Sequence, residues 1–163
     1  MGSFTAFGIS FTFSFLAFGL FFLIFVVPQL RKMDYYRALI ALLLIHCLRT
    51  VGMMVIIPAV VGEIQNPLPT GYAESIAYGD FASAILALLC VLLLHFGKMK
   101  NTILVWVFSL VGIGDLILAL VNSLRYDATS YTIGSSWFTL NYFVPILWVT
   151  HIAILILLTR KKL

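Results

Sequence analysis

The chain has 163 residues, of which 63% are hydrophobic and only 10% are charged, and its mean hydropathy is +1.12. Soluble domains contain roughly 45–50% apolar and about 25% charged residues. This composition excludes a soluble globular domain and also a disordered chain. The sequence therefore predicts an all-α integral membrane protein, in which any chemistry takes place within the membrane or at its faces.

Hydropathy predicts five membrane-spanning helices in a single transmembrane domain over residues 1–163. Each segment is long enough to cross a bilayer, which takes roughly 20 apolar residues. Pro28 is expected to end the first segment. A signal peptide is a less suitable reading of that segment, because no Lys or Arg precedes its long apolar run. The predicted helices cover residues 4–27, 37–61, 72–96, 102–123 and 137–159.

The positive charges alternate between the two sides of the predicted helices. One side holds eight Lys and Arg residues, whereas the opposite side holds only Arg125. The positive-inside rule then places the N-terminus outside and the C-terminus in the cytoplasm. This orientation requires an odd number of spans, in agreement with five. The eight residues are Arg31, Lys32, Arg37, Lys98, Lys100, Arg160, Lys161 and Lys162.

The first segment differs from the others because it is rich in phenylalanine. Seven Phe residues follow three- and four-residue steps and form a stripe along one helix face. The opposite side carries small residues, which let membrane helices approach closely. The simplest interpretation packs the small residues on the bundle, and the alternative is a lipid groove lined by Phe. The stripe is Phe4, Phe7, Phe11, Phe15, Phe18, Phe22 and Phe25, and the small residues are Gly8, Ser10, Ser14 and Gly19.

Three charged residues lie deep inside the predicted spans, away from the helix ends, where ionisable groups are expensive and are functional candidates. Asp80 and Asp115 both lie about 12 Å from the outer ends of their helices, and Arg49 lies near the middle of its own. The three side chains could meet in one layer if the second, third and fourth helices are neighbours. One Arg and two Asp would leave one carboxylate unpaired, and two nearby acids tend to hold a proton between them.

Two histidines form a second predicted layer nearer the cytoplasmic side. His46 and His151 share a depth of about 12–14 Å from that side, and His46 lies three residues from Arg49 on the same helix face. Histidine exchanges protons near neutral pH, so a polar path between the layers is one interpretation. The plainer interpretation is hydrogen bonding to backbone or Thr. Secondary candidates on the neighbouring faces are Tyr78, Asn122, Asn141 and Trp148.

The string Gly-Ile-Gly-Asp ending at Asp115 resembles the GxGD signature of intramembrane aspartyl proteases. That resemblance implies a second catalytic Asp on another helix, for which Asp80 is the candidate. Arg49 argues against it, because an aspartyl pair must share a proton and a nearby Arg favours two ionised carboxylates. A single haem held by His46 and His151 is another hypothesis.

The wider chain resembles a group of small, uncharacterised multi-pass bacterial membrane proteins. This resemblance implies localisation in a bacterial inner membrane and implies no activity. It is carried by RTVG at 49–52, IPAVVG at 57–62, AYGD at 77–80, WVF at 106–108, Val-Pro at 144–145 and Thr-His at 150–151.

The leading functional hypothesis is a small carrier or binding protein that could be coupled to protons. In it Arg49 binds an anionic group or pairs with an acid, Asp80 and Asp115 form an ionisable gate, and His46 and His151 form a relay. The alternative is a non-catalytic scaffold or lipid-interacting subunit, and the third hypothesis is an intramembrane hydrolase. A non-enzymatic role is favoured. No cofactor, metal or nucleic acid is expected; membrane lipids are the expected partners, and a homodimer is compatible with so small a bundle.

Overall fold

The computed structural model describes residues 2–57, 68–97, 102–131 and 134–160. Within these ranges the chain is helical and contains no strand. Five helices are long and apolar enough to cross a membrane, which confirms the predicted number. They are α1 (Ser3–Leu30), α2 (Tyr35–Ile56), α3 (Thr70–His95), α4 (Ile103–Arg125) and α5 (Ser136–Arg160).

The first helix does not end at Pro28 as predicted but continues to Leu30. A π-helical turn over Phe22–Val26 comes directly before the proline. A proline ring clashes with the carbonyl group four residues earlier, and a wider turn moves that carbonyl away from the ring. The same arrangement occurs in α5, where a π-helical turn over Thr139–Phe143 precedes Pro145. Both prolines are thus accommodated without ending the helix.

The second helix changes type along its length. It begins at Tyr35 because Asp34 caps it, accepting a hydrogen bond from the backbone N–H of Arg37 at 3.0 Å. From Leu48 to Ile56 it is a 3-10 helix, and Ile57 is extended. The helix therefore stops short of the predicted end at residue 61, since extended backbone cannot continue the helical hydrogen bonding. Residues 58–61, Gly62 and Pro67 lie outside the described residues, as do Lys98, Lys100, Lys161 and Lys162.

Helices α2, α3 and α4 pack in the order in which they occur in the chain. Helix α3 lies between α2 and α4, and α5 packs against α1, α2 and α4. The condition for a shared layer of Arg49, Asp80 and Asp115 is therefore met. Helix α1 is peripheral and packs mainly on α5, with an outward face of large exposed apolar residues such as Phe13 and Leu16.

The bundle has an apolar half and a polar half. The apolar core surrounds the start of α2 and the end of α5, where branched and aromatic side chains fill the space between the helices. The charged side chains inside the spans belong to the other half. This division places the candidate site on one side of a closely packed apolar core. That core includes Leu39, Leu42, Leu43, Ala87, Cys90, Val105, Phe108, Ile154 and Leu157.

Candidate functional site

The structure brings the three predicted charged residues together around Arg49. The Arg49 side chain is 0% exposed. Its Nε donates to Oδ1 of Asp80 at 2.7 Å, its Nη2 donates to Oδ2 of Asp115, and its Nη1 donates to the carbonyl oxygen of Gly112 at 3.2 Å. One guanidinium group therefore joins α2, α3 and α4. Of the two roles predicted for Arg49, the structure has it paired with acids.

The 3-10 segment of α2 determines which residues accompany Arg49. With 3.0 residues per turn, side chains three positions apart lie in one line. Arg49 and Gly52 are both buried, and Val55 borders the pocket next to the carboxylates. An ordinary α-helix has 3.6 residues per turn and would rotate Gly52 and Val55 progressively away from the Arg49 side. The change of helix type thus holds one narrow face of α2 towards α3 and α4.

Glycines make room for both carboxylates. A Cβ atom at Gly52 of α2 would overlap the carboxyl group of Asp80 on α3. A Cβ atom at Gly79 of α3 would overlap the carboxyl group of Asp115 on α4. Each acid therefore lies against the bare backbone of the preceding helix. This close approach lets two short side chains reach the same guanidinium group.

A third glycine joins the charged layer to the histidine layer. A Cβ atom at Gly112 of α4 would lie 2.7 Å from Nε2 of His151 and 3.1 Å from Nη1 of Arg49. The His151 ring and the Arg49 guanidinium group therefore border the same small space beside Gly112. The charged layer and the histidine layer therefore approach each other at Gly112.

The two predicted histidines are in direct contact. His46 and His151 are both 0% exposed, and their ring centroids are 4.0 Å apart with the planes tilted by 52°. Phe108 stacks on His151 with a centroid separation of 5.1 Å and meets His46 edge-on. Rings in such contact leave no space between them for a porphyrin, so the arrangement does not fit the haem hypothesis.

The hydrogen-bonding states of the two rings differ. Nε2 of His46 lies 3.0 Å from Oγ1 of Thr150, and the Thr150 hydroxyl donates to the carbonyl oxygen of Ile146 at 2.8 Å. With the hydroxyl proton on that carbonyl, Nε2 of His46 would be the donor to Thr150. Among the described residues neither ring nitrogen of His151 has a hydrogen-bond partner, and Nδ1 of His46 has none. A buried polar group without a partner costs about 1–3 kcal/mol, which favours an additional polar group beside these rings.

A small pocket lies against the two carboxylates. Its volume is about 60 Å³. Asp80 and Asp115 form its charged side, and Gly52 lies next to them. The Asp80 and Asp115 side chains are 15% and 14% exposed, unlike that of Arg49. The carboxylates are thus the charged groups that a molecule in the pocket would meet. The remaining lining is apolar and hydroxylic, and includes Phe7, Phe11, Ser123, Ser136, Thr139 and Trp148.

The secondary candidates separate into two groups. Trp148 lines the pocket, and Asn141 is fully buried, with Nδ2 donating to the carbonyl oxygen of Trp137 at 2.9 Å. Tyr78 is 58% exposed, and neither it nor Asn122 lines the pocket. Tyr78 faces outwards because it lies two residues before Asp80, on the opposite side of the α-helix.

Sequence reasoning missed several residues that complete the site. Gly52 and Gly79 were not predicted as members, although each lies within three residues of a buried charge. The sequence signal that would have identified them is a glycine that lies one or three residues away from a buried charged residue. Phe108 carried no such signal, because its role depends on contacts with other helices. Hydrogen bonding of the histidines to a Thr was expected, and Thr150 is that Thr for His46. The part of the chain that the structure describes contains no group of three or more His, Cys, Asp or Glu that could hold a metal ion.

The Gly112→Ala variant tests whether His151 and Arg49 need the close approach to α4 that a glycine at position 112 allows. Its methyl group would press on His151 and Arg49, and overpacking of this kind costs about 1–3 kcal/mol. We expect a lower midpoint of thermal denaturation in detergent. Gly114→Ala is the matched control on the same helix, since a Cβ there meets nothing within 4 Å. Equal losses in the two variants would contradict the requirement for glycine at 112.

A double-mutant cycle measures the coupling of Arg49 to Asp80. Arg49→Ala leaves two buried carboxylates without their cation and should lower the unfolding free energy by about 3–5 kcal/mol, whereas Asp80→Ala leaves Arg49 paired with Asp115 and should lower it by less. The double variant should lose much less than the sum. The exposed pair Asp34 and Arg37, joined at 3.2 Å, is the control, with an expected coupling of about 0–1 kcal/mol. Additive losses at Arg49 and Asp80 would contradict the interpretation of the bridge as a unit.

Comparison with known proteins gives a family. No curated protein and no solved structure matches the chain. The profile of a domain of unknown function, DUF8737, matches residues 6–159. This match confirms the resemblance to an uncharacterised family. Because the match spans nearly the whole sequence, the chain belongs to the DUF8737 family.

Proposed function

We propose that this chain is a multi-pass membrane protein that binds a small solute and carries it across the membrane, with proton exchange at Asp80 and Asp115. The observation that carries the proposal is that both carboxylates share the single guanidinium group of Arg49 and face a pocket. With all three groups ionised, the layer has one uncompensated negative charge. A proton or a cationic group in the pocket would balance it.

The burial of the Arg49, Asp80 and Asp115 layer favours an exchangeable proton over a permanent net negative charge. An uncompensated charge within a membrane costs several kcal/mol, so the layer gains stability when it takes up one positive charge. Arg49 has no exposed surface and remains engaged by three acceptors, whereas the carboxylates border the pocket. In this proposal Arg49 is the fixed positive charge, and Asp80 and Asp115 are the groups that bind and release the proton.

His46 and His151 extend the proposed proton route towards the other half of the bundle. Their rings touch each other, and His151 shares the space beside Gly112 with Arg49. A ring that lacks hydrogen-bond partners among the described residues can accept a proton at one nitrogen and donate from the other. We propose that these two residues, with bound water, relay protons between the charged layer and the cytoplasmic side.

The main alternative is a non-catalytic scaffold or lipid-interacting subunit, in which the Arg49 layer only joins three helices. The glycine contacts favour this alternative, because they show a tightly fitted structural junction. The third hypothesis, an intramembrane aspartyl hydrolase, is less well supported. Its two acids must share a proton directly, whereas here the acids bind different nitrogens of one guanidinium group.

Proton flux distinguishes carrier from scaffold. We expect purified protein in liposomes that contain a pH-sensitive dye to exchange protons after a pH step, and Asp80→Asn and Asp115→Asn to reduce the rate to that of protein-free vesicles. Glu74→Gln is the matched control, because it removes a carboxylate from the exposed surface of the same helix as Asp80. It should keep the wild-type rate.

Two outcomes would contradict the proposal. Wild-type protein that exchanges protons no faster than empty vesicles would favour the scaffold. Wild-type rates in both Asn variants would show that the protons move elsewhere. Thermal denaturation of every variant in detergent verifies that a loss of flux does not come from unfolding.

The proposed membrane is a bacterial inner membrane, with the N-terminus outside and the C-terminus in the cytoplasm. The distribution of Lys and Arg supports this orientation. In a background without Cys47 and Cys90, we expect Ser130→Cys to react with an impermeant maleimide on intact cells. Met33→Cys, in the loop between α1 and α2, should react only after permeabilisation. The reverse pattern would invert the orientation.

A further inference from the structure

A groove lies between the later parts of α1 and α5 and shares no lining residue with the charged pocket. Its volume is about 370 Å³, and its wall contains Phe15, Phe22 and Val27 from α1 and Ile152 and Ile156 from α5. Gly19 contributes no side chain at the middle of the α1 wall. The groove is therefore an elongated apolar channel that follows two roughly parallel helix segments.

Two arginines lie at one end of this groove. Arg31 directly follows the last residue of α1, and Arg160 is the last residue of α5; both are exposed and both line the groove. None of the described residues that line it is acidic. A channel with an apolar body and two guanidinium groups at one end is complementary to a molecule with an apolar chain and an anionic head.

The length of the groove fits one leaflet of a bilayer. On α5 the lining residues extend from Val149 to Arg160, which corresponds to roughly 16 Å of helix. Half of a hydrocarbon core about 30 Å thick is of similar length. The arginines would then lie at the depth of the headgroups, where guanidinium groups bind phosphate in a bidentate manner.

We propose that this groove is a binding site for one acidic phospholipid, with an acyl chain between α1 and α5 and its phosphate at Arg31 and Arg160. The site rests on the proposed membrane placement of the helices and is independent of proton exchange at Asp80 and Asp115. A lipid in the groove would fill the space between the peripheral helix and the remainder of the bundle.

Native mass spectrometry of the full chain in detergent tests the site. The probes are phosphatidylglycerol and phosphatidylcholine with identical acyl chains, added at equal concentration. A basic residue near an anionic headgroup contributes roughly a fivefold gain in binding, so we expect the first bound phosphatidylglycerol to exceed phosphatidylcholine by at least about tenfold. Arg31→Gln/Arg160→Gln should remove this preference, and Arg31→Lys/Arg160→Lys should retain most of it.

Two further variants separate the groove from general surface charge. Arg37→Gln removes a positive charge at the same end of the bundle, where Arg37 is paired with Asp34, and should keep the preference. A Cβ at Gly19 meets nothing within 4 Å, so Gly19→Leu would extend a side chain from the groove wall and should lower the binding of both lipids. The proposal is overturned by equal binding of the two lipids to the wild type, by a preference that survives the double Gln variant, or by unchanged binding to Gly19→Leu. None of these variants alters the charged layer. The lipid preference can therefore be confirmed even if the liposome assay detects no proton exchange.

Discussion

The burial of the Arg49 guanidinium group is the constraint on which the rest of the polar half depends. A guanidinium group cannot lose its charge, so a chain that buries it between apolar helices must bring acceptors to it. Asp80, Asp115 and the Gly112 carbonyl oxygen meet this demand from two other helices. The relative positions of α2, α3 and α4 therefore follow from the geometry of one side chain. An Arg also presents several donors in a fixed planar fork, which Lys could not reproduce.

Short acidic side chains can reach Arg49 only because the helix backbones approach closely, and this explains the glycines. Without apolar solvent exclusion to drive helix association in lipid, packing and polar contacts between helices carry the stability. Gly52 and Gly79 each accept an acid of the next helix, and Gly112 accepts the ring of His151. From α2 to α4, a glycine of each helix thus receives a polar side chain of the next helix. The same contacts that stabilise the bundle also leave the carboxylates beside a pocket, so a structural junction and an exchangeable charge are compatible.

The sequence was sufficient to predict the five helices and a common depth for Arg49, Asp80 and Asp115, because hydropathy and rise per residue determine which residues share a depth, but it did not indicate the Gly112 carbonyl as a third partner. The meeting of His46 and His151 follows from the same reasoning. Depth alone could not give the 3-10 segment that aligns Arg49 with Gly52, or the π-helical turns before Pro28 and Pro145. These changes of helix type depend on neighbouring helices and on relief of proline clashes, and single-sequence periodicity carries no record of them.

The division into an apolar and a polar half limits how a proton could pass through the bundle. The proposed route leads from the pocket to the paired histidines and meets there the apolar core around Phe108 and Leu43. A proton that reaches His46 needs either water between the core helices or a movement that separates them.

The peripheral α1, with little buried surface, is the helix that can move at least cost, since local stability follows the buried contacts that must be broken. Its Phe7 and Phe11 border the pocket, so displacement of α1 would open the charged layer on the pocket side. In the proposed carrier, such a displacement would open the pocket while the apolar core stays closed, whereas the scaffold alternative needs no such movement.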